Sequence, residues 1–444
     1  MIEDIEWKIT QLEERAKHAH EWLKYASRAF VLEFAGTPKS GKSTAVEAVR
    51  HFFSRNQFRV HVLTERAAVC PIPMKGHLFF NTWCACSMIA ELLANVDLDT
   101  DIIIVDRGIL DALVWLQLQH QRGELTIEET NVIESFLMLD RWRALVDLSV
   151  VMYVSADRAM EREVGQRITR KPGSIMNKDV LNAITNSVSQ TTDRYSNRFK
   201  SVISLDTSNT SSVRDANANL AGRIIDNLDE FLNPEIAVIP KSVVRSLQLD
   251  EGGAFGKDAV QRLTACLENN VSFMRRADAE QSLDFVQLVG AGVLVRDEKV
   301  FLFQRKESDP KSSLYGKTTL WQGTHVNQDV RYSNVSLVEN ALMERVTRSL
   351  FLSRRFPVEV SGYCWDESDA HSAKHFGLVF QIKIDNPHTA EDLRKKEYRK
   401  ARGRGHDLVG QFVRWADLHS NMSELGLEHW SRSILINEAA FLGR

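Results

Sequence analysis

Long apolar runs are missing from this chain, cysteines are few, and neither sign of charge dominates. No apolar run approaches 18 residues. Segments such as 102–105 and 148–154 have the length of core strands, so the sequence predicts no membrane span. The opening Met-Ile-Glu-Asp-Ile-Glu has neither a basic nor an apolar leader, and no signal peptide is expected. The five cysteines are an odd number, and Cys84-x-Cys86 has no second pair at zinc spacing. That argues against a disulfide framework, and a reducing cytoplasm is the expected compartment. A formal charge of −3 carries no basic bias, so nucleic acid is not an expected partner. There is no internal repeat and no low-complexity tract. With 43% hydrophobic and 26% charged residues, the 444-residue chain reads as globular and long enough for two or three domains with full cores.

What is present begins at residues 31–44, Val-Leu-Glu-Phe-Ala-Gly-Thr-Pro-Lys-Ser-Gly-Lys-Ser-Thr. An apolar strand runs into Gly36-x-x-x-x-Gly41-Lys42-Ser43, and a helical pattern follows. This is a phosphate-binding loop in its strand–loop–helix context. The glycines let successive backbone N–H groups point at phosphate oxygens, and the following helix adds its positive end. Lys42 is placed for the β- and γ-phosphates and Ser43 for Mg²⁺. Gly36, Thr37, Pro38, Lys39, Ser40, Gly41, Lys42, Ser43 and Thr44 are therefore candidate contacts to ATP. The alternative is a Gly/Ser turn that happens to carry a lysine.

Residues 2–27 repeat apolar side chains at helical spacing (Ile5, Ile9, Leu12, Ala16, Ala19, Leu23), which predicts a leading helix over 1–28. It either packs on the first domain or binds a partner. From 29 to 232 strands at 29–35, 58–63, 101–105, 148–154 and 201–205 alternate with helices. That grammar is α/β, a parallel sheet wrapped by helices with ligands at the carboxyl ends of its strands. Asn233-Pro234-Glu235 reads as a linker. Over 233–444, strands at 236–239, 286–295, 299–304, 358–365 and 376–383 with few helices between them predict an α+β domain with a mixed or mostly antiparallel sheet.

The second landmark is Asp101-Ile-Ile-Ile-Val-Asp106-Arg107-Gly108. An aliphatic run ending in Asp delivers a carboxylate from a buried strand to the metal region, although such an Asp can also simply cap the next helix. With the phosphate loop, this Asp-Arg pair resembles the thymidylate kinase and deoxynucleoside kinase group of P-loop kinases, over about residues 29–210. The resemblance implies an acidic residue near the acceptor hydroxyl at Glu65 and an arginine holding the acceptor end at Arg107. It implies a basic lid carrying Arg162, Arg167, Arg170 and Lys171, and an adenine loop near Leu205-Asp206-Thr207. Phosphoryl transfer spreads negative charge that a basic lid can neutralise, and a carboxylate can take or orient the acceptor's proton. The bland alternatives are a solvated helix face for the lid and a surface loop position for Glu65. Between 65 and 86 the chain departs from that group; Arg66, Lys75, His77, Asn81 and Trp83 are candidates to hold a base or sugar.

Residues 286–383 resemble the Nudix superfamily through Gly290-Ala-Gly-Val-Leu-Val, Trp321-Gln-Gly323-Thr324-His325-Val326-Asn327, Ala341-Leu-Met-Glu344-Arg345-Val346-Thr347-Arg348-Ser349-Leu350 and His375-Phe-Gly-Leu-Val-Phe. The nearest branch has a Gly-Gly-His-Ile/Val-Asn signature, and the likeness covers most of 236–420, with helix 257–274 as part of an N-terminal extension. The family gathers Mg²⁺ with Arg-Glu-aliphatic-x-Glu-Glu on one helix. Those six positions here are Glu344, Arg345, Val346, Thr347, Arg348 and Ser349, so the three metal-site glutamates are gone and two are arginine. A shifted register recovers Glu344 alone. This domain is expected to have lost hydrolysis and to bind a nucleotide through Arg345 and Arg348, or to be scaffold. The basic run over 394–404 is a contact for nucleic acid or a phosphorylated ligand, or else a charged loop or solvated helix face.

The leading expectation is ATP- and Mg²⁺-dependent phosphoryl transfer to a nucleoside or nucleoside monophosphate, with a degenerate Nudix-like domain that senses a nucleotide. The alternatives are a nucleotide-responsive regulator without a small-molecule acceptor, and Nudix hydrolysis through unusual ligands. The acceptor is open, and so is a homo-oligomer.

Overall fold

Aliphatic runs too short to be helices and buried on both faces have one stable home, the interior of a helix-covered parallel sheet. In the computed structural model five such runs become β1 (Phe30–Gly36), β2 (Val60–Leu63), β3 (Ile102–Asp106), β4 (Leu148–Tyr153) and β5 (Val202–Asp206). They pair in the order β2-β3-β1-β4-β5, all parallel. The structure describes residues 2–23, 26, 28–74, 76–96, 100–166, 175–210, 212–247, 249, 252–305, 314, 316–327, 334–349, 356–384 and 408–444. These divide into two units, one over residues 1–232 and one built on the described residues from 233 onward.

In the first unit the helices are α1 (Ile2–Trp22), α2 (Lys42–Arg55), α3 (Leu78–Asn95), α4 (Ile109–Gln121), α5 (Ile127–Leu137), α6 (Asp140–Arg143), α7 (Ala156–Gln166), α8 (Lys178–Tyr195) and α9 (Val213–Leu232). Alternate residues of β1 face opposite cores. Phe30, Leu32 and Phe34 pack with α1, α2 and α9, while Val31 and Ala35 pack with α3, α4 and α8. The leading helix is packed into this unit: Leu12, Ala16 and Ala19 are buried with Ala221, Ile225 and Leu228 of α9. Strand register sets the site. Phe34 lies opposite Asp106, and Gly36 opposite Met152, so the carboxyl ends of β1, β3 and β4 meet at one edge.

The second unit is a mixed sheet centred on β9 (Phe285–Arg296), which runs parallel to β14 (His375–Lys383) and antiparallel to β10 (Lys299–Arg305) and β12 (Gln322–His325). Also in it are β6 (Glu235–Pro240), β7 (Gly253–Phe255), β8 (Ser272–Arg275), β11 (Thr318–Thr319), β13 (Val358–Cys364) and β15 (Leu408–Arg414). Its helices are α10 (Lys241–Arg245), α11 (Lys257–Asn270), α12 (Arg276–Gln281), α13 (Asn334–Ser349), α14 (Trp415–Ser420), α15 (His429–Ile436) and α16 (Glu438–Phe441). The helix expected over 257–274 stops at Asn270. Val271 is extended, and residues 272–275 form a strand against β6, a partner that helical spacing alone cannot announce. The 233–235 segment is tied down too. Asn233 accepts from the Ala277 N–H (2.8 Å) and from Arg275 (3.0 Å). Among the described residues no helix is long and apolar enough to cross a membrane.

Candidate active site

Gly36 ends β1 with φ 129°, where an L side chain is strained, and a Cβ there would lie 1.8 Å from the Met152 carbonyl oxygen. Gly41, φ 95°, turns the chain into α2, and no side chain among the described residues caps that helix. The loop between them is bolted down from two strands. The Thr37 N–H donates to the Met152 oxygen at 3.0 Å, the Thr37 hydroxyl accepts from the Val154 N–H at 3.0 Å, and the Thr207 hydroxyl donates to the Ser40 oxygen at 2.9 Å. Pro38 is buried, and Ser43 and Thr44 are exposed in the first turn of α2. Lys42 is buried and donates to the Gly36 and Thr37 oxygens at 2.9 and 2.6 Å. Burial, then the nearby Arg107, lowers its pKa to about 8, while Asp111, Asp106 and Glu65 hold it up.

Asp106 ends β3 half-buried, and its pKa is pushed up by burial and then by Glu65. Arg107, at φ 66°, has its Nε 2.5 Å from Glu65 Oε1 and its Nη1 3.2 Å from Asp111 Oδ2. Glu65, Asp106 and Arg107, far apart in the chain or strained in it, therefore meet beside the phosphate loop. Asp111 is the residue that sequence reasoning missed. It is buried on α4, its Oδ1 accepts the Gly36 N–H at 3.1 Å, and its Oδ2 accepts the Trp115 indole N–H at 3.1 Å. Its available signal is the four-residue spacing from Arg107, one helical turn.

A second missed group is Glu33, fully buried in the middle of β1. The Ser149 hydroxyl donates to it at 2.6 Å and the Leu110 N–H at 3.4 Å, while burial raises its pKa to about 7. A Cβ on Gly108 would lie 1.8 Å from Glu33 Oε2, so this carboxyl fills the notch at the start of α4. A single acid interrupting an aliphatic strand was the visible clue.

Arg162 of α7 donates to the Lys39 oxygen (2.8 Å), the Thr207 oxygen (2.6 Å) and the Thr207 hydroxyl (3.2 Å). Beside it Lys39 pairs with Glu163 at 2.8 Å, so α7 grips the outer side of the phosphate loop. Arg167, Arg170 and Lys171 lie outside the described residues, as does Lys75. Arg66 donates to the Ser87 hydroxyl at 3.0 Å and lies 3.6 Å from Glu91, both on α3. His77 accepts the Phe79 N–H at 3.2 Å, and Asn81 and Trp83 are half-buried.

In the second unit Glu344 is exposed on α13, Val346 is buried and Arg345 is half-buried. The side chains of Arg348 and Ser349, and all of 394–404, lie outside the described residues. No cluster of three acidic, His or Cys ligands forms around α13 among the described residues. A buried cation lies close to Arg345. Arg305 Nη2 donates to the Trp321 oxygen at 3.3 Å, its Cζ sits 4.9 Å from the Trp321 ring, and burial lowers its pKa to about 10.

No protein-family model matches the chain. Protein YmaB of Bacillus subtilis (strain 168) is 23% identical over 205 residues, 45% of this chain and 95% of that protein. Among solved structures, Tm1382, a candidate Nudix hydrolase, is 16% identical with TM-score 0.34, covering 47% of this chain and 98% of that one. Deoxyadenosine kinase from M. mycoides with bound dCTP is 12% identical with TM-score 0.35, covering 44% of this chain and 99% of that one. The same kinase with bound dATP is 14% identical, with TM-score 0.35 and the same two coverages. Each of these likenesses covers a little under half of this chain.

Proposed function

We propose that the first unit transfers a phosphoryl group from ATP to a nucleoside or nucleoside monophosphate. The observation that carries this reading is the junction of a phosphate-cradling loop with the Glu65–Arg107–Asp111 cluster at the same strand ends. The residues fit the groups required: a cradle at Gly36 that a Cβ would fill, an uncapped helix start, and the exposed Ser43 hydroxyl. Ser43 and Asp106 would hold Mg²⁺, which supplies charge neutralisation on the phosphate oxygens.

Lys42, now donating to its own loop's carbonyls, exchanges those partners for the β- and γ-phosphate oxygens. Phosphate raises the lysine's pKa and keeps it charged above its present value of about 8. Glu65 orients the acceptor hydroxyl or takes its proton. Arg107, fixed between Glu65 and Asp111, steadies the transferring group. Arg162 couples α7 to the loop, and the lid role that the resemblance implies for Arg167 and Arg170 falls outside the described residues. The test is ADP formation from Mg²⁺-ATP against a panel of nucleosides and nucleoside monophosphates. ADP that needs one acceptor and disappears in Lys42→Ala supports the proposal; ADP indifferent to every acceptor sinks it.

The grip of α7 on the loop through Arg162 and Glu163 favours a second reading, a regulator in which bound nucleotide resets α7 without any acceptor. Nucleotide-dependent protease protection of α7 with no acceptor effect would select it. For the second unit we propose ligand binding without hydrolysis, with Arg345 and Arg348 as phosphate contacts; among the described residues no cluster of carboxylate ligands forms around α13, which supports the loss of hydrolysis.

A further inference from the structure

The second unit collects a different set of metal-ligating side chains away from α13. Glu280 lies on α12, His325 at the end of β12 and His375 at the start of β14, and one ligand atom from each lies within 4.8 Å of the others. We propose that Glu280, His325 and His375 form a binding site for a divalent transition-metal ion such as Zn²⁺.

The two imidazoles are prepared as ligands. His375 Nδ1 sits 2.7 Å from the His371 carbonyl oxygen, which makes Nδ1 the donor and leaves the Nε2 lone pair for a metal. The His371 ring stacks on His375 at 4.3 Å and 19°, fixing its plane. His325 Nε2 is buried and has no hydrogen-bond partner, an orphaned atom that a metal would satisfy. Glu280 supplies the negative charge. Its Oε1 now lies 3.9 Å from Arg276 Nε, a long pairing that an ion would take over in part.

Two nitrogens and one oxygen suit Zn²⁺ and its neighbours rather than Mg²⁺ or Ca²⁺, which prefer oxygen alone. Bonds of about 2.0–2.1 Å require the three atoms to close in by side-chain rotation, and leave a coordination position for water. The three ligands come from segments well separated in sequence, so the ion would clip α12 to β12 and β14. It is independent of the phosphate loop and of the lost α13 carboxylates.

The test uses the full chain, stripped with chelator and titrated with Zn²⁺. Roughly one equivalent should be retained through desalting, and the melting temperature should rise with free Zn²⁺. His325→Ala and His375→Ala should each weaken binding by ~100-fold or more, and the near-isosteric Glu280→Gln by ~10-fold. His419→Ala, which alters a histidine paired with Glu438, should change nothing. Zinc-edge X-ray absorption of the unmutated protein should show two imidazole ligands, which keeps the test decisive if a variant misfolds. Failure to retain zinc, retention unaffected by all three substitutions, or an edge spectrum without imidazole would each overturn the proposal.

Discussion

The two units treat the helix that follows their glycine motif in opposite ways. In the first, α2 begins at a bare N-terminus with Lys42 and Ser43 in place, and Asp106 and Asp111 stand beside it. In the second, α13 buries Leu342 and Val346, while the three positions that the Nudix resemblance would give to metal-binding glutamates carry Arg345, Arg348 and Ser349. The comparison teaches that a frame and its chemistry are maintained by different residues. Apolar burial holds a sheet and its covering helix together whatever charges line the rim, whereas a metal site disappears with two or three carboxylates.

The strongest way to break this contrast is Lys42→Ala. We expect acceptor-dependent ADP formation to fall by ~10²–10³-fold, with the circular dichroism spectrum unchanged. Full turnover in that variant would move the chemistry out of the first unit. Next in size is Gly36→Ala, which drives a methyl group into the Met152 carbonyl at a φ of 129°. It should abolish ATP binding and destabilise the fold by about 2–4 kcal/mol, read as a shift of the urea midpoint.

Glu33 sharpens the contrast through pH. Its folded pKa of about 7 lies above the ordinary 4.5, so between those values the native protein binds a proton that the unfolded chain does not. Stability is therefore greatest below about pH 4.5 as far as this group is concerned, and it declines as pH rises through 7, by about 3 kcal/mol in all. Glu33→Gln should remove that part of the pH dependence. An identical difference curve for the two proteins between pH 5 and 8 would show that Glu33 is not the group responsible.

Asp111→Asn leaves one acceptor where Gly36, Arg107 and Trp115 now share a carboxylate. It should lower turnover by roughly tenfold and stability by about 1–3 kcal/mol. If turnover and acceptor KM both stay unchanged, Arg107 does not depend on this partner. The smallest expected signal is none at all. The full-length Lys42→Ala protein with Mg²⁺ should release neither phosphate nor pyrophosphate from a broad nucleotide panel, and release above the blank would restore hydrolysis to the second unit.

Much of this was legible in the chain. The phosphate loop is a contiguous word, and Asp106-Arg107 announces itself as an aliphatic strand ending in charge. The missing α13 carboxylates could be read by position alone. The rest was hidden for reasons of distance. Arg162 meets the Lys39 carbonyl across 123 residues, and a backbone oxygen carries no sequence mark. Ser272–Arg275 is a strand because β6 lies beside it, while the run before it continues helical spacing.

By itself the sequence determined the alternation of strands and helices, the turn at Gly36 and Gly41, and the charge carried along α13. Each depends on residues within a turn or two of one another. Only the tertiary structure decided that Asp111 serves Gly36, that Glu33 sits beneath Gly108, and that His325 and His375 approach Glu280. Those meetings follow from strand order and register, which are settled by packing among distant segments and leave no periodic trace in the chain.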